Sequence, residues 1–344
     1  MELLEKIPKV DLHFHLDGSV RPETIKQIAQ EEGLAIPDLP NDALIRYMQV
    51  DRNCNNLQDY LSKFDFVLNY MQSARALEQT AYDAIEQVSA HNCQYLEVRF
   101  APQLHRKNGL SVHDVVSHVL KGLNRGEKQF GVVTRAILIC LRGHTHKENM
   151  EVVEAAADFL GKGVVAVDLA GDEAGYPPER YRDIFQAAQK KNIPITIHAG
   201  EAGGPENIDE AIHHLGAVRI GHGVRLREDP QLLNTIKENG IPLEMCPISN
   251  IQTKAVKGWD DYPIRQYFDQ GVHVTVNTDN ITVSNTNITK EYAKLIKHYR
   301  FSIPEIVKLI SFGLNAAFLE KKEKGELKAT FNRELQQLGL QPKV

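Results

Sequence analysis

The chain has little that would tie it to a membrane, a nucleic acid or an oxidising compartment. Only four cysteines and one tryptophan occur in 344 residues. Cys54, Cys93, Cys140 and Cys246 show no C-x-x-C spacing, so reduced packing residues are expected rather than disulfides. No uncharged apolar run is long enough to cross a bilayer. The opening MELLEKIPKVDLHFHLDG lacks the basic n-region, apolar h-region and cleavage site of a secretory signal, so a cytoplasmic location is expected. Lysine and arginine form no run and the net charge is -5, which gives no electrostatic footprint for nucleic acid or anionic membrane. A small neutral or cationic ligand fits that balance better, and nothing in the sequence points to an obligate protein partner.

A glycine-rich phosphate loop after the first strand is missing, which argues against a doubly wound open sheet. No repeat, low-complexity tract or Pro/Gly/Ser linker divides the chain, so residues 1–344 are expected to form one domain. Short β-branched runs at 9–15, 94–100, 134–141, 164–169, 194–198, 218–222, 241–246 and 272–278 read as strands. Helical patterns fall between them at 111–125, 149–160, 178–191, 207–215 and 230–238. Eight strands joined by helical crossovers predict an α/β fold, a single (β/α)8 TIM barrel.

Two regions exceed a minimal barrel. The long excursion after the first strand is expected to carry its own helices, and within it Leu57, Tyr60, Leu61 and Phe64 share one helix face at i, i+3, i+4 and i+7. Residues 287–322 read as two or three closing helices, with Pro304 near the start of one.

Barrel enzymes place reactive groups at the carboxyl ends of their strands. The first strand delivers His13 and His15, which alternation points to the same side, where two neutral nitrogens can bind one metal. The fifth ends in His198-Ala199-Gly200-Glu201, the sixth carries His222 between two glycines, and the eighth ends at Asp279. Three histidines and one carboxylate arriving at one rim match a catalytic zinc site that keeps a further position for water. The other histidines are expected to be unremarkable. His144 and His146 fall in a loop after Gly143, His213 and His214 are neighbours on a helix, and His91, His105, His113 and His118 lie amid polar surface pattern.

His13-Phe14-His15-Leu16-Asp17-Gly18-Ser19, Asp168-Leu169-Ala170-Gly171-Asp172-Glu173, His198-Ala199-Gly200-Glu201, Gly221-His222-Gly223, Cys246-Pro247-Ile248-Ser249-Asn250 and Asn277-Thr278-Asp279 follow one another in chain order, one per strand end. Together they resemble the adenosine deaminase family, the adenosine and adenine deaminase branch of the metal-dependent amidohydrolases. The resemblance implies one zinc per chain held by His13, His15, His198 and Asp279, with water in the remaining position. It implies that Asp279 and His222 orient and deprotonate that water, while Glu201 protonates purine N1 as hydroxide adds at C6. The implied reaction is hydrolytic deamination of adenosine, and of 2′-deoxyadenosine, to the 6-oxopurine and ammonia. Relatives that add a carboxylated lysine from the fourth strand hold two metals, but here that strand ends Asp168-Leu169-Ala170-Gly171, so one metal is expected.

For the substrate, the resemblance places Asp17 on the ribose, the Gly171 amide on purine N3, His15 at the metal edge of the substrate site, and Leu57, Tyr60, Leu61 and Phe64 as an apolar lid. Relatives acting on free adenine carry Glu where this chain has Asp17, which favours the nucleoside over adenine or a modified adenosine. Many members have a second Asp after the metal-binding one, where it meets N7, and here the residue is Asn280. An amide N–H donates to the N7 acceptor in its ordinary state. The P-C-x-x-C element of nucleic-acid deaminases is missing.

Overall fold

The computed structural model describes residues 2–51 and 53–341. Eight parallel strands run β1 Lys9–His15, β2 Cys93–Phe100, β3 Val133–Leu141, β4 Val164–Ala170, β5 Thr196–Ala199, β6 Arg219–His222, β7 Leu243–Met245 and β8 Val274–Val276. They hydrogen-bond in chain order as two four-stranded sheets. Two parallel bridges, Val167 to Ile195 and Phe14 to Asp279, close them into one barrel. Strands buried on both faces need apolar runs rather than alternation, and Leu12, Val98, Leu138, Val167, Ile197 and Ile220 are all inaccessible to solvent.

The expected crossover helices are present with shifted ends: Val112–Phe130, His146–Phe159, Arg182–Lys190, Pro205–His213 and Pro230–Glu238. Residues 178–181 form a separate 3-10 turn before the third of these. Reciprocal capping boxes at Ser111/Asp114 and Thr145/Glu148 fix where the first two begin. The Thr145 box explains one departure from the sequence reading, because it draws His146 into the helix while His144 stays in the loop.

The excursion between β1 and β2 is helical as expected, but its apolar face is not one helix. Leu57–Leu61 and Phe64–Leu68 are separate short helices broken at Ser62 and Lys63. At the far end Ile288–Tyr299 and Ile303–Ala316 close the barrel, the second with Pro304 in its first turn, and a further helix, Lys321–Gln337, continues past the expected limit. All four cysteines are free and buried. His105 corrects the surface reading: it is fully buried, with Nδ1 2.9 Å from the Met71 carbonyl, because its 3-10 turn folds under the excursion. His113 and His118 pair with Asp158 and Glu78 at the surface.

Candidate active site

The rim at the strand ends gathers the residues that the sequence separates most widely. His13 and His15 project from β1 on one side of the pleat, His198 from β5, and Asp279 follows β8. The bridge that closes the barrel also fixes Asp279, whose N–H donates to the His13 carbonyl at 2.8 Å and whose carbonyl accepts from the His15 N–H at 2.7 Å. Those two bonds hold Asp279 at φ 61, a left-handed conformation that aspartate seldom adopts. His222 sits in the same region at φ 64.

The Nε2 atom of His198 lies 3.0 Å from that of His13 and 3.2 Å from that of His15, which are themselves 3.3 Å apart. Asp279 Oδ1 is 3.3 Å from His15 Nε2 and 3.6 Å from His13 Nε2. Ligands about 2.0–2.1 Å from a tetrahedral zinc lie about 3.3 Å from one another, so this spacing fits a metal centre. The chemistry fits as well. Burial holds His13 and His15 well below the ordinary imidazole pKa, leaving neutral rings with free lone pairs. Burial raises Asp279, and a bound cation is what offsets that cost. Cys246, which lies near His222 and Asp279, is a poorer donor because burial pushes its thiol well above the usual range.

Behind these groups runs a buried layer of charge. His13 Nδ1 faces Glu244 Oε2 at 2.9 Å, and His198 Nδ1 faces Asp168 at 3.0 Å. Arg99 joins the two carboxylates, donating to Asp168 at 2.8 Å and to Glu244 at 2.7 Å. Glu244 continues to Arg219, and Arg219 to Glu97, at 2.6 and 2.5 Å. A carboxylate on the second nitrogen of each ring fixes its tautomer and leaves Nε2 free to bind a metal. Asp168→Asn is therefore expected to weaken zinc binding by about 10–100-fold while the fold persists. Competition with a chromophoric chelator measures this directly.

Glu201 and His222 occupy the neighbouring strand ends, with Glu201 Oε2 3.5 Å from His222 Nε2. Burial pushes the Glu201 carboxyl up to about 7. Thr253 Oγ1 and Asn250 Nδ2 donate to Glu201 Oε1 at 3.1 and 3.4 Å, and Asn250 Nδ2 also lies 3.0 Å from His222 Nδ1. Burial lowers His222 to about 4. The loop carrying Glu201 is shaped by Glu173, whose carboxylate accepts from the backbone N–H groups of residues 200 to 203 and from Asn207.

His15, His198, Glu201, His222 and Asp279 face a cavity of about 240 Å³. Leu57, Tyr60, Leu61 and Phe64 line it despite the helix break, and Gln58 donates to Asp172 at 3.2 Å across the mouth. His15, Asp17, Gly171 and Asn280 line it too. Asp17 Oδ1 is buried without a hydrogen-bond partner, as expected of a group that awaits a polar ligand, and Asn280 Oδ1 is buried against Gly18. Gly171 stands at φ 106, a backbone that a side chain would strain, and lines the cavity. A Cβ on Gly18 would fall 1.8 Å from Asn280 Oδ1, so glycine there makes room for the Asn280 side chain.

Sequence reasoning missed the inner layer: Arg99, Glu244, Arg219 and Glu97, and the carboxylates of Asp168 and Glu173 inside an otherwise noted motif. A signal was present, since charges inside apolar strands are rarely buried unless paired. Asn250 and Thr253, which hold Glu201, had no comparable mark beyond the motif that contains the first.

Comparisons with known proteins agree with this geometry. The sequence model of the adenosine deaminase family matches residues 8–333. An adenosine deaminase of Enterococcus faecalis is 43% identical over 93% of this chain and 95% of its own length. One of Clostridium kluyveri is 41% identical over 95% and 94%. Among solved structures, an adenine deaminase from Arthrobacter aurescens superposes with a TM-score of 0.87 at 26% identity, covering 96% of this chain and 98% of that one. The chain belongs to the adenosine deaminase family.

Proposed function

We propose that the protein is an adenosine aminohydrolase, converting adenosine and 2′-deoxyadenosine to the corresponding inosines and ammonia with one zinc ion per chain. The observation that carries this reading is the meeting of three groups at one small cavity. They are three histidines with a carboxylate, His13 and His15 among them held neutral, a carboxyl raised to about 7, and a neutral histidine beside it. His13, His15, His198 and Asp279 would hold the zinc. When bound, it supplies the Lewis acidity that brings the pKa of water toward about 7.

The chain's own residues supply the rest. Glu201 donates its proton to purine N1 as the water oxygen bonds to C6, so that electron density leaving the ring is neutralised where it accumulates. Asp279 and His222 hold the water on one face of the ring, and His222 takes its proton. That proton departs with the C6 amino group as ammonia, and the remaining hydroxyl proton returns to Glu201 as the carbonyl forms. Asp17 at the cavity wall takes the ribose, the Gly171 amide meets N3, and Asn280 donates to N7. Exclusion of water by the lid keeps Glu201 in its protonated form.

The pKa directions set a pH dependence. Glu201, raised to about 7, must be protonated, so activity falls as pH rises through that value. His222, lowered to about 4, must be neutral, so activity falls as pH drops through that one. A bell-shaped profile of kcat/KM with its plateau between the two is expected. The functional reading itself is tested by ammonia release from adenosine, 2′-deoxyadenosine, adenine and an N6-methylated adenosine side by side. The nucleosides should lead. Preference for adenine would move the assignment to an adenine deaminase, and absence of turnover on all four would overturn it.

Residues 1–344 act in this reading as one catalytic barrel. Its partner is a small purine nucleoside rather than a nucleic acid or membrane, and no helix among the described residues is long and apolar enough to cross one. Four buried free thiols suit a reducing cytoplasm.

A further inference from the structure

The helix Ile288–Tyr299 carries Lys290, Lys294 and Lys297 at i, i+4 and i+7, and so places three ammonium groups along one face over about 10 Å. With Lys254 they line a groove of about 800 Å³ that lies apart from the metal and purine cavity. Asp51 is the one acidic side chain among the described residues of its lining. Lys290 gives one hydrogen bond to the Asn285 carbonyl at 3.3 Å, and none of the four lysines has a carboxylate partner among the described residues. Some surface cations are paired, as in Arg75 with Glu31 and Lys191 with Glu154, and others are single, but here four lysines share one lining. Four lysines against one carboxylate, Asp51, around one concavity oppose the net charge of -5 and favour an anionic ligand there, with Lys294 Nζ 5.6 Å from the centre of the Trp259 ring.

The groove also has a fixed wall and an apolar floor. Trp259 stacks on His298 with ring centroids 4.5 Å apart and planes 8° from parallel, and the Tyr299 hydroxyl donates to its carbonyl. Val50, Ile248 and Ile251 form the floor, where Gln252 Oε1 is buried without a partner. The surroundings connect to the chemistry. Gln252 Nε2 donates to the Ser284 carbonyl at 3.1 Å, and Ser284 Oγ meets the Tyr60 hydroxyl of the lid at 2.6 Å. Gln252 also ends the helix Pro247–Gln252 that carries Asn250, the partner of Glu201.

We propose that this groove is a second ligand site, one that binds the polyphosphate group of a small phosphorylated metabolite. Lysines are compact point-charge donors suited to phosphate oxygens. Their linear spacing matches a chain of phosphates better than a single one, and the apolar floor with Gln252 accommodates an attached organic moiety. The site is independent of the deaminase reading, because binding is measured without turnover.

Trp259 is the only tryptophan in the chain, so its fluorescence reports on the groove alone. Inorganic tripolyphosphate and UTP, neither of which contains a purine, are titrated into the metal-loaded protein at low salt, with metal content verified unchanged. A saturable change in emission with either probe is expected. The dissociation constant should rise about tenfold for each lysine replaced in Lys294→Gln and in Lys294→Gln/Lys297→Gln. Equal binding of both probes assigns the site to phosphates alone, and tighter binding of UTP adds the organic moiety; each supports the proposal. No fluorescence change and no calorimetric heat with either probe would overturn it. So would affinity unchanged in both variants, or lysine-dependent binding confined to a single-stranded oligonucleotide.

Discussion

Dialysis against a strong chelator is expected to take ammonia release from adenosine to background, and one equivalent of zinc per chain should restore it. His13, His15, His198 and Asp279 come from strands β1 and β5 and the segment after β8; the three Nε2 atoms lie 3.0–3.3 Å apart, and Asp279 Oδ1 lies 3.3 and 3.6 Å from those of His15 and His13. Where burial keeps rings neutral, as at His13 and His15, nitrogens that close repel one another's lone pairs, and a shared cation makes the arrangement favourable. The polar layer behind them, Asp168 and Glu244 bridged by Arg99, persists without metal because each carboxylate keeps its hydrogen bonds to the guanidinium and to a histidine ring. The stripped protein should therefore stay folded, with an unchanged far-ultraviolet circular dichroism spectrum, and regain activity without a refolding step. A protein that keeps its rate after the metal is removed would rule out the metal-dependent reading.

The second large effect is expected at Glu201. Glu201→Gln keeps the shape and the capacity to accept from Thr253 and Asn250, but an amide cannot deliver a proton to N1. Loss of a positioned general acid typically costs about 10²–10⁴ in rate. The fall should appear in kcat, while nucleoside binding, read with a non-hydrolysed analogue by calorimetry, changes little. A rise in KM at constant kcat would instead make Glu201 a binding residue and would remove N1 protonation from the mechanism. Because Leu57, Tyr60, Leu61 and Phe64 make one wall of the cavity apolar, bulk water is a poor substitute for the missing acid.

How much of this the sequence carried follows from the range over which each feature is encoded. The strands were legible because a buried parallel strand is a local run of β-branched residues, and their ends landed within a few positions of the observed ones. His13 and His15 were legible because a period of two puts both on one side of a strand. Arg99 and Glu244 were not, since their partnership spans 145 positions and exists only once the barrel closes. Each alone reads as an odd charge in an apolar segment. The apolar face of the excursion shows the opposite case: Leu57, Tyr60, Leu61 and Phe64 line one cavity, but spacing overstated the regularity of the backbone, which breaks at Ser62 and Lys63. His105 was misplaced because burial there comes from a distant loop folding over it, with no periodicity to mark it. The lysine groove escaped notice for a related reason, as residues 254, 290, 294 and 297 form no run until a helix and a loop bring them together.

X-ray absorption at the zinc edge, on fully active protein of known metal content, tests most directly whether these four side chains share one cation. The proposed ligand set predicts one zinc per chain in a shell of nitrogen and oxygen at about 2.0–2.1 Å with the signature of three imidazoles. A sulfur shell at about 2.3 Å would instead move the metal to Cys246. That result, or full activity with no zinc in the sample, would contradict the account.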